Sequence, residues 1–248
     1  MVLALCDIKS LVLRSFCSGN CISFLCLAVL LTFVALNFRT PKNLIAVLSL
    51  LLISRGFMDY TTSGLETILG SALLAAFAYY FSQTSRNEFA QRFGKRTMIL
   101  GGLAVICRHD YLLLTAPALL LLLLSDSFRS ESIQRKLKYL GLYCLPLILW
   151  TLYSVIYYGF PFPNTAYAKM FTGISRAHLI RQGFNYMWVN LVQDPVTLVV
   201  IFAFMIHAIL GNDRNQKYMI PGIVLSLAYL VFIGGDFMLG RFLVGPFV

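Results

Sequence analysis

Phe57-Met58-Asp59-Tyr60-Thr61-Thr62-Ser63-Gly64-Leu65-Glu66 joins two apolar runs, Leu44–Phe57 and Ile68–Phe81, yet carries two carboxylates, a tyrosine and three aliphatic hydroxyls. Coiled as a helix, the stretch places Asp59, Ser63 and Glu66 at i, i+4 and i+7, on one face. Two readings stand side by side. Ser63 as N-cap with Glu66 three residues on makes a capping box at the start of the next helix. Alternatively, the shared face is one wall of a polar site at a membrane edge, with Asp59, Tyr60, Ser63 and Glu66 as its chemistry-bearing groups.

Composition favours the membrane. The chain is 59% hydrophobic and only 12% charged, where a soluble domain carries about a quarter. Mean hydropathy is +0.78. Several apolar runs approach the roughly 20 residues that a helix needs to cross a bilayer. The expected fold is all-α, a polytopic transmembrane bundle, with residues 1–20 a weakly patterned segment and 21–248 one membrane domain. The net charge of +10 belongs to basic loops, because no basic stripe interleaved with aromatics points to nucleic acid. The six cysteines lack C-x-x-C spacing, four of them crowd the start of the chain and Cys107 and Cys144 stand alone, which argues against zinc and disulfides.

The remaining apolar runs are Cys21–Phe38, Thr97–Cys107, Tyr111–Leu124, Leu137–Tyr158, Val196–Leu210 and Met219–Ile233. The segments 39–43, 82–97, 125–136 and 211–218, with the adjacent Lys138, hold twelve of the twenty Lys and Arg. The positive-inside rule assigns them to the cytoplasm. The run 97–124 must then turn on the far side at Arg108-His109-Asp110. Three further polar segments fall on that side: 55–66, a long loop Gly159–Pro195, and Gly234-Gly235-Asp236-Phe237-Met238-Leu239-Gly240-Arg241.

Each segment has a plain structural reading and a chemical one. Arg108 and Asp110 form a local pair at a hairpin tip, or an arginine for phosphate oriented by its acid. The aromatics of Tyr157–Lys169 form an interfacial belt, or Asn164, Tyr167 and Lys169 bond a sugar or a lipid-linked phosphate. Asp236 and Arg241 flank a glycine-rich turn that permits close backbone approach. The phosphate-binding loop, the nucleophile elbow and the H-E-x-x-H zinc motif are all missing from the sequence.

Three of these segments, 59–66, 158–169 and 234–241, together resemble the polytopic, lipid-phosphosugar-dependent glycosyltransferases of the GT-C class. The nearest likeness is to the terminal arabinofuranosyltransferase group of bacterial envelopes, and Arg108-His109-Asp110 resembles that group's Arg-Pro-Asp. The resemblance implies a multi-pass protein of the bacterial inner membrane with its active face extracytoplasmic. It implies transfer of a sugar, such as arabinofuranose, from a polyprenyl-phosphate donor to an envelope glycan.

The residues that match assign Asp59, Glu66 and Asp236 as candidate catalytic carboxylates. Arg108, Lys169 and Arg241 then contact the donor phosphate, while Tyr60, Ser63, Asp110, Asn164 and Tyr167 contact sugar or acceptor. No cofactor is implied beyond the donor lipid. The carboxylates could collect a divalent cation, but no ligand spacing points to one. The family's first outer-loop acidic motif has no counterpart in 1–20, and relatives continue past the equivalent of Val248. The expectation is therefore an N- and C-terminally truncated member. A catalytically inactive remnant or assembly partner is the alternative, and a transporter comes after it.

Overall fold

The computed structural model describes residues 23–36, 40–61, 66–84, 90–129, 131–162, 167, 173–236 and 238–248. Among these the chain is helical, without strands. The helices are α1 (Ser23–Leu36), α2 (Pro41–Ile53), α3 (Arg55–Thr61), α4 (Thr67–Thr84), α5 (Ala90–Cys107) and α6 (Tyr111–Leu124). They continue with α7 (Asp126–Arg129), α8 (Ile133–Tyr158), α9 (Arg176–Gln193), α10 (Pro195–Leu210), α11 (Arg214–Phe232) and α12 (Val244–Phe247).

Helix α8 is long and apolar enough to cross a membrane; its 26 residues rise about 39 Å, more than the ~30 Å of bilayer hydrocarbon. Ser132 caps its start by accepting from the Arg135 amide, and Gly159, left-handed at φ 78°, ends it. Two further spans result if α2 with α3, bent by 77°, and α9 with α10, bent by 105°, each count as one. Helices α1 and α6 are apolar but shorter.

Both bends have a local cause. Ser54 leaves the helical region (ψ 113°), and its hydroxyl accepts from the Phe57 amide, so it caps α3 rather than continuing α2. Asp194 precedes Pro195, whose ring disfavours a helical residue before it, and takes φ −139°, ψ 70°.

Three apolar clusters hold the helices together. Phe77, Phe81, Met98, Leu122, Tyr139 and Tyr143 join α4, α5, α6 and α8. Leu114, Tyr186, Ile201, Ile223, Leu230 and Leu243 join α6 and α9–α11 to the C-terminal turn. Leu30, Leu51, Phe57, Ala72 and Val244 seat α1–α3 on α4 and α12. Large apolar side chains on α8, among them Leu149, Leu152 and Ile156, stay exposed along its outer face.

Four of the expected runs are recovered with their ends kept or extended, as α4, α5, α8 and α10, and Tyr111–Leu124 has the same bounds as α6. The described helix in Cys21–Phe38 is the shorter Ser23–Leu36, Met219–Ile233 lies in a helix that ends at Phe232, and Leu44–Phe57 is divided at Ser54 between α2 and α3. One expectation is corrected. Residues 159–195 are not a long loop, because 176–193 form α9. The segment carries enough polar residues to mask its period, yet it buries Leu179, Gly183, Tyr186 and Asn190, at i, i+4, i+7 and i+11.

Polar segments gather at two separate places. Thr40, Asn43, Gln83, Asp213 and Asn215, from three of the four basic-rich segments, rim one cavity of about 710 Å³. The segments 54–61, 108–110 and 236–241 meet elsewhere, as described below.

Helices α6 and α11 approach closely at Gly222, where an added Cβ would lie 2.1 Å from the Leu114 carbonyl oxygen. Gly222→Ala should therefore cost about 1–3 kcal/mol, from forced separation of α6 and α11. Gly141→Ala, with nothing within 4 Å, should leave stability unchanged or slightly raised. Thermal unfolding of the two variants in detergent compares them directly.

Candidate functional site

The breaks in the two bent helix pairs lie against each other. Asp194, 4% exposed, accepts through Oδ2 from the Gly56 amide at 2.9 Å, the Thr197 hydroxyl at 2.6 Å and the Ser54 hydroxyl at 3.3 Å. Its Oδ1 takes the Thr197 amide at 3.3 Å. One carboxylate thus caps the N-termini of both α3 and α10, where free amides and the helix dipoles favour negative charge. Ser54 and Thr197 close the junction with a 2.7 Å contact between hydroxyls.

This junction fixes α3 against the glycine turn. Gly240, at φ +80°, lies backbone to backbone on Gly56; a Cβ added to it would stand 3.0 Å from the Gly56 Cα. Tyr186 of α9 supports the same turn, its hydroxyl donating to Met238 O at 3.1 Å and accepting from the Gly240 amide at 3.0 Å. Tyr60 donates to Leu239 O at 3.0 Å, so α3 and the turn are bonded along their length.

Arg241, presented by that turn, is the hub of the charged groups. It pairs with Glu66 at the start of α4 and stands 4.0 Å from Asp236. Its Nη1 donates to Met238 Sδ at 3.4 Å, and its buried Nε has no hydrogen-bond partner among the described residues. Burial alone would raise the Glu66 pKa, but the hydrogen bond from Arg241, a backbone hydrogen bond and the charges of Arg241 and Arg108 together outweigh it and hold that carboxyl below its ordinary 4.5.

Arg108, at the turn between α5 and α6, is 6% exposed. Its guanidinium makes a two-pronged bond to Asp110, 3.1 Å from Nε and 2.9 Å from Nη2. Its Nη1 donates to Arg241 O at 3.2 Å. The Tyr111 and Phe242 rings lie 5.2 and 4.8 Å from its Cζ. Burial opposes the charge, yet Asp110 raises the pKa and keeps the cation. Beside it His109 packs on Trp150 at 4.5 Å with Nε2 buried and unpartnered; burial pushes its pKa down, favouring neutral imidazole.

The structure therefore brings together Tyr60, Glu66, Arg108, Asp110, Asp236 and Arg241, six of the residues singled out from the sequence. Asp59 stands apart. Asp59 turns outward, 58% exposed, and pairs with Arg55 at 3.5 Å, whereas Glu66 pairs with Arg241. Tyr167 packs on Phe160 and Phe162 at 5.9 and 6.4 Å, among the aromatics of its own segment. Ser63, Asn164 and Lys169 lie outside the described residues. Among the described residues no group of three or more His, Cys, Asp or Glu could hold a metal ion.

Asp194 and Tyr186, which position the turn, escaped the sequence reading as site residues. Asp194 lies before a proline, a pattern that marks a helix start and could have identified it as a cap. Nothing in the sequence links Tyr186 to a turn more than fifty residues away.

Asp194→Ala should destabilise the protein by about 2–4 kcal/mol, since it strips caps from two helices and strands buried donors. Asp194→Asn, which keeps a capping acceptor, should lose less; denaturant titration ranks the two. The Glu66–Arg241 pair should contribute fully above the ordinary carboxyl range and fade as pH falls through the depressed folded value. The melting temperature of Glu66→Gln should accordingly converge on that of the wild type as pH falls through that window. Compared with known protein families, with curated proteins and with solved structures, the chain matches none of them.

Proposed function

We propose that the chain is a multi-pass membrane glycosyltransferase of GT-C type, working on the extracytoplasmic side of a bacterial inner membrane. It moves a sugar from a polyprenyl-phosphate donor to an envelope acceptor. The observation that carries this reading is the convergence on Arg241. Three segments singled out for chemistry, 55–66, 108–110 and 234–241, lie far apart in sequence yet interlock through Tyr60, Glu66, Arg108 and Asp236. The gathering of three basic-rich segments around a different cavity supports opposite membrane sides for the two groups.

In such a reaction the acceptor oxygen forms a bond to the anomeric carbon as the bond from that carbon to the phosphate oxygen breaks. A carboxylate takes the acceptor's proton, and the lipid phosphate leaves with its electron pair. Arg241 is the cation for that phosphate, with Arg108 fixing its backbone. Donor phosphate competes with Glu66 for Arg241. Once released, Glu66 loses the hydrogen bond that depresses its pKa and becomes a better base, so donor binding and base activation are coupled. Lys169, Asn164 and Tyr167 complete the donor and acceptor contacts in this reading, and the sugar class stays that of the resemblance, a pentofuranose.

A transporter is the second reading, favoured by the two bent helix pairs whose breaks meet at Ser54 and Asp194, since broken helices often build transport sites.

Membranes expressing residues 1–248 should transfer labelled sugar from a polyprenyl-phosphate donor, with pentose and hexose donors tested in parallel. Arg241→Ala and Glu66→Gln should each lower turnover about a hundredfold or more. Wild-type rates in both variants would remove the cluster from catalysis. Substrate counterflow in vesicles without transfer would establish the transporter instead.

A further inference from the structure

A second cavity, of about 530 Å³, lies where α1, α4 and α5 meet. Its walls include Val29 and Phe33 on α1, Ala72 and Ala76 on α4, and Ile99 and Leu100 on α5. Ala72 and Ala76 are one turn apart on the same face, and their small side chains open the groove. At one end stand Tyr80 and Arg96. Arg96 Nη1 donates to the Tyr80 hydroxyl at 3.3 Å, with the guanidinium carbon 5.4 Å from the ring centroid. Arg96 is exposed, and no carboxylate pairs with it among the described residues.

A hydrocarbon-lined groove with an unneutralised cation at its mouth suits an amphiphile whose head is anionic. Guanidinium offers several donors in a plane, which match phosphate oxygens, and only one is engaged by protein. From Leu69 to Tyr80 the α4 wall rises about 16 Å, close to half the hydrocarbon thickness of a bilayer, the depth of one leaflet. Arg96 also falls in the basic-rich segment 82–97, on the side where anionic lipids concentrate.

We propose that this groove holds an anionic phospholipid of the surrounding leaflet, its acyl chain along α4 and its phosphate on Arg96 and Tyr80. The inference rests on the membrane reading above but not on glycosyl transfer, and the site is separate from the Arg241 cluster. Bound lipid would fill the space between α1 and the α4–α5 pair and tie α1 to the rest of the fold.

The full chain, placed in nanodiscs with equal dioleoyl phosphatidylglycerol and dioleoyl phosphatidylcholine, is released for native mass spectrometry. Wild type should retain phosphatidylglycerol over phosphatidylcholine by about fivefold, the factor expected for one arginine at an anionic surface. Arg96→Gln, a surface change, should erase that preference. Ile99→Trp, which fills the groove from an exposed position, should lower retention of both lipids. Lys138→Gln, removing another exposed base, should change nothing. Equal retention of the two lipids by wild type, a preference that survives Arg96→Gln, or an equal loss in Lys138→Gln would each overturn the proposal. Release of the chain from membranes by alkaline carbonate would overturn the membrane reading with it. A chain that resists carbonate but shows no lipid preference removes the groove alone.

Discussion

The Asp194 carboxylate is the constraint on which the charged cluster depends. A helix start leaves free amides that need acceptors. Here two helix starts, α3 and α10, are buried together and share one acceptor group. Ser54, Gly56 and Thr197 all point their donors at it. Each bend needs an acceptor at its apex, and each is placed so that the same side chain serves. A kinked α2–α3 pair would otherwise expose the Gly56 amide to an apolar interior, at a cost of about 1–3 kcal/mol. Because the cap fixes Gly56, it also fixes the surface on which Gly240 rests. The turn that presents Arg241 is therefore set by a residue that contacts neither Arg241 nor its acids.

Burying cations beside that junction raises a second problem. An isolated ion deep in a low-dielectric interior costs several kcal/mol, and pairing offsets this only when geometry is good and the other donors are satisfied. Arg108 meets the condition at every guanidinium nitrogen. Asp110 takes two of its donors, the Arg241 carbonyl takes a third, and two aromatic faces cover the guanidinium. Arg241 meets it in part, with Glu66 and Asp236 nearby but Nε unbonded. A fully satisfied Arg108 has little to gain by moving, whereas Arg241 can exchange one partner for another at lower cost.

Much of this architecture was legible in the sequence because it rests on local signals. The limits of α6 follow from an apolar run bounded by Asp110 and Ser125, and the joining of 55–66 to 234–241 was anticipated from charge and side of the membrane. What escaped shares a different property. Helix α9 buries Gly183 and Asn190 beside Leu179 and Tyr186, while Phe184, Trp188 and Val192 stay exposed among Arg181, Asn185 and Gln193, so its apolar period is weak. The common face of Asp59, Ser63 and Glu66 is read from spacing alone, and the partners of Asp59 and Glu66 lie in different places. Asp59 then finds its partner one turn back, in Arg55.

The charges of the cluster bear on how it could act. Arg108 and Arg241 face Asp110, Glu66 and Asp236, so the group as a whole carries one more acid than base. A second anion is unwelcome in such a place unless it displaces one already there. Asp110 is locked by two bonds and Asp236 is buried at the foot of the glycine turn, whereas Glu66 is about a third exposed and held by Arg241. In the proposed reaction Glu66 is therefore the partner that the donor phosphate would replace. The exchange keeps Arg241 paired throughout and turns a carboxylate that was held by a cation into one that can accept a proton.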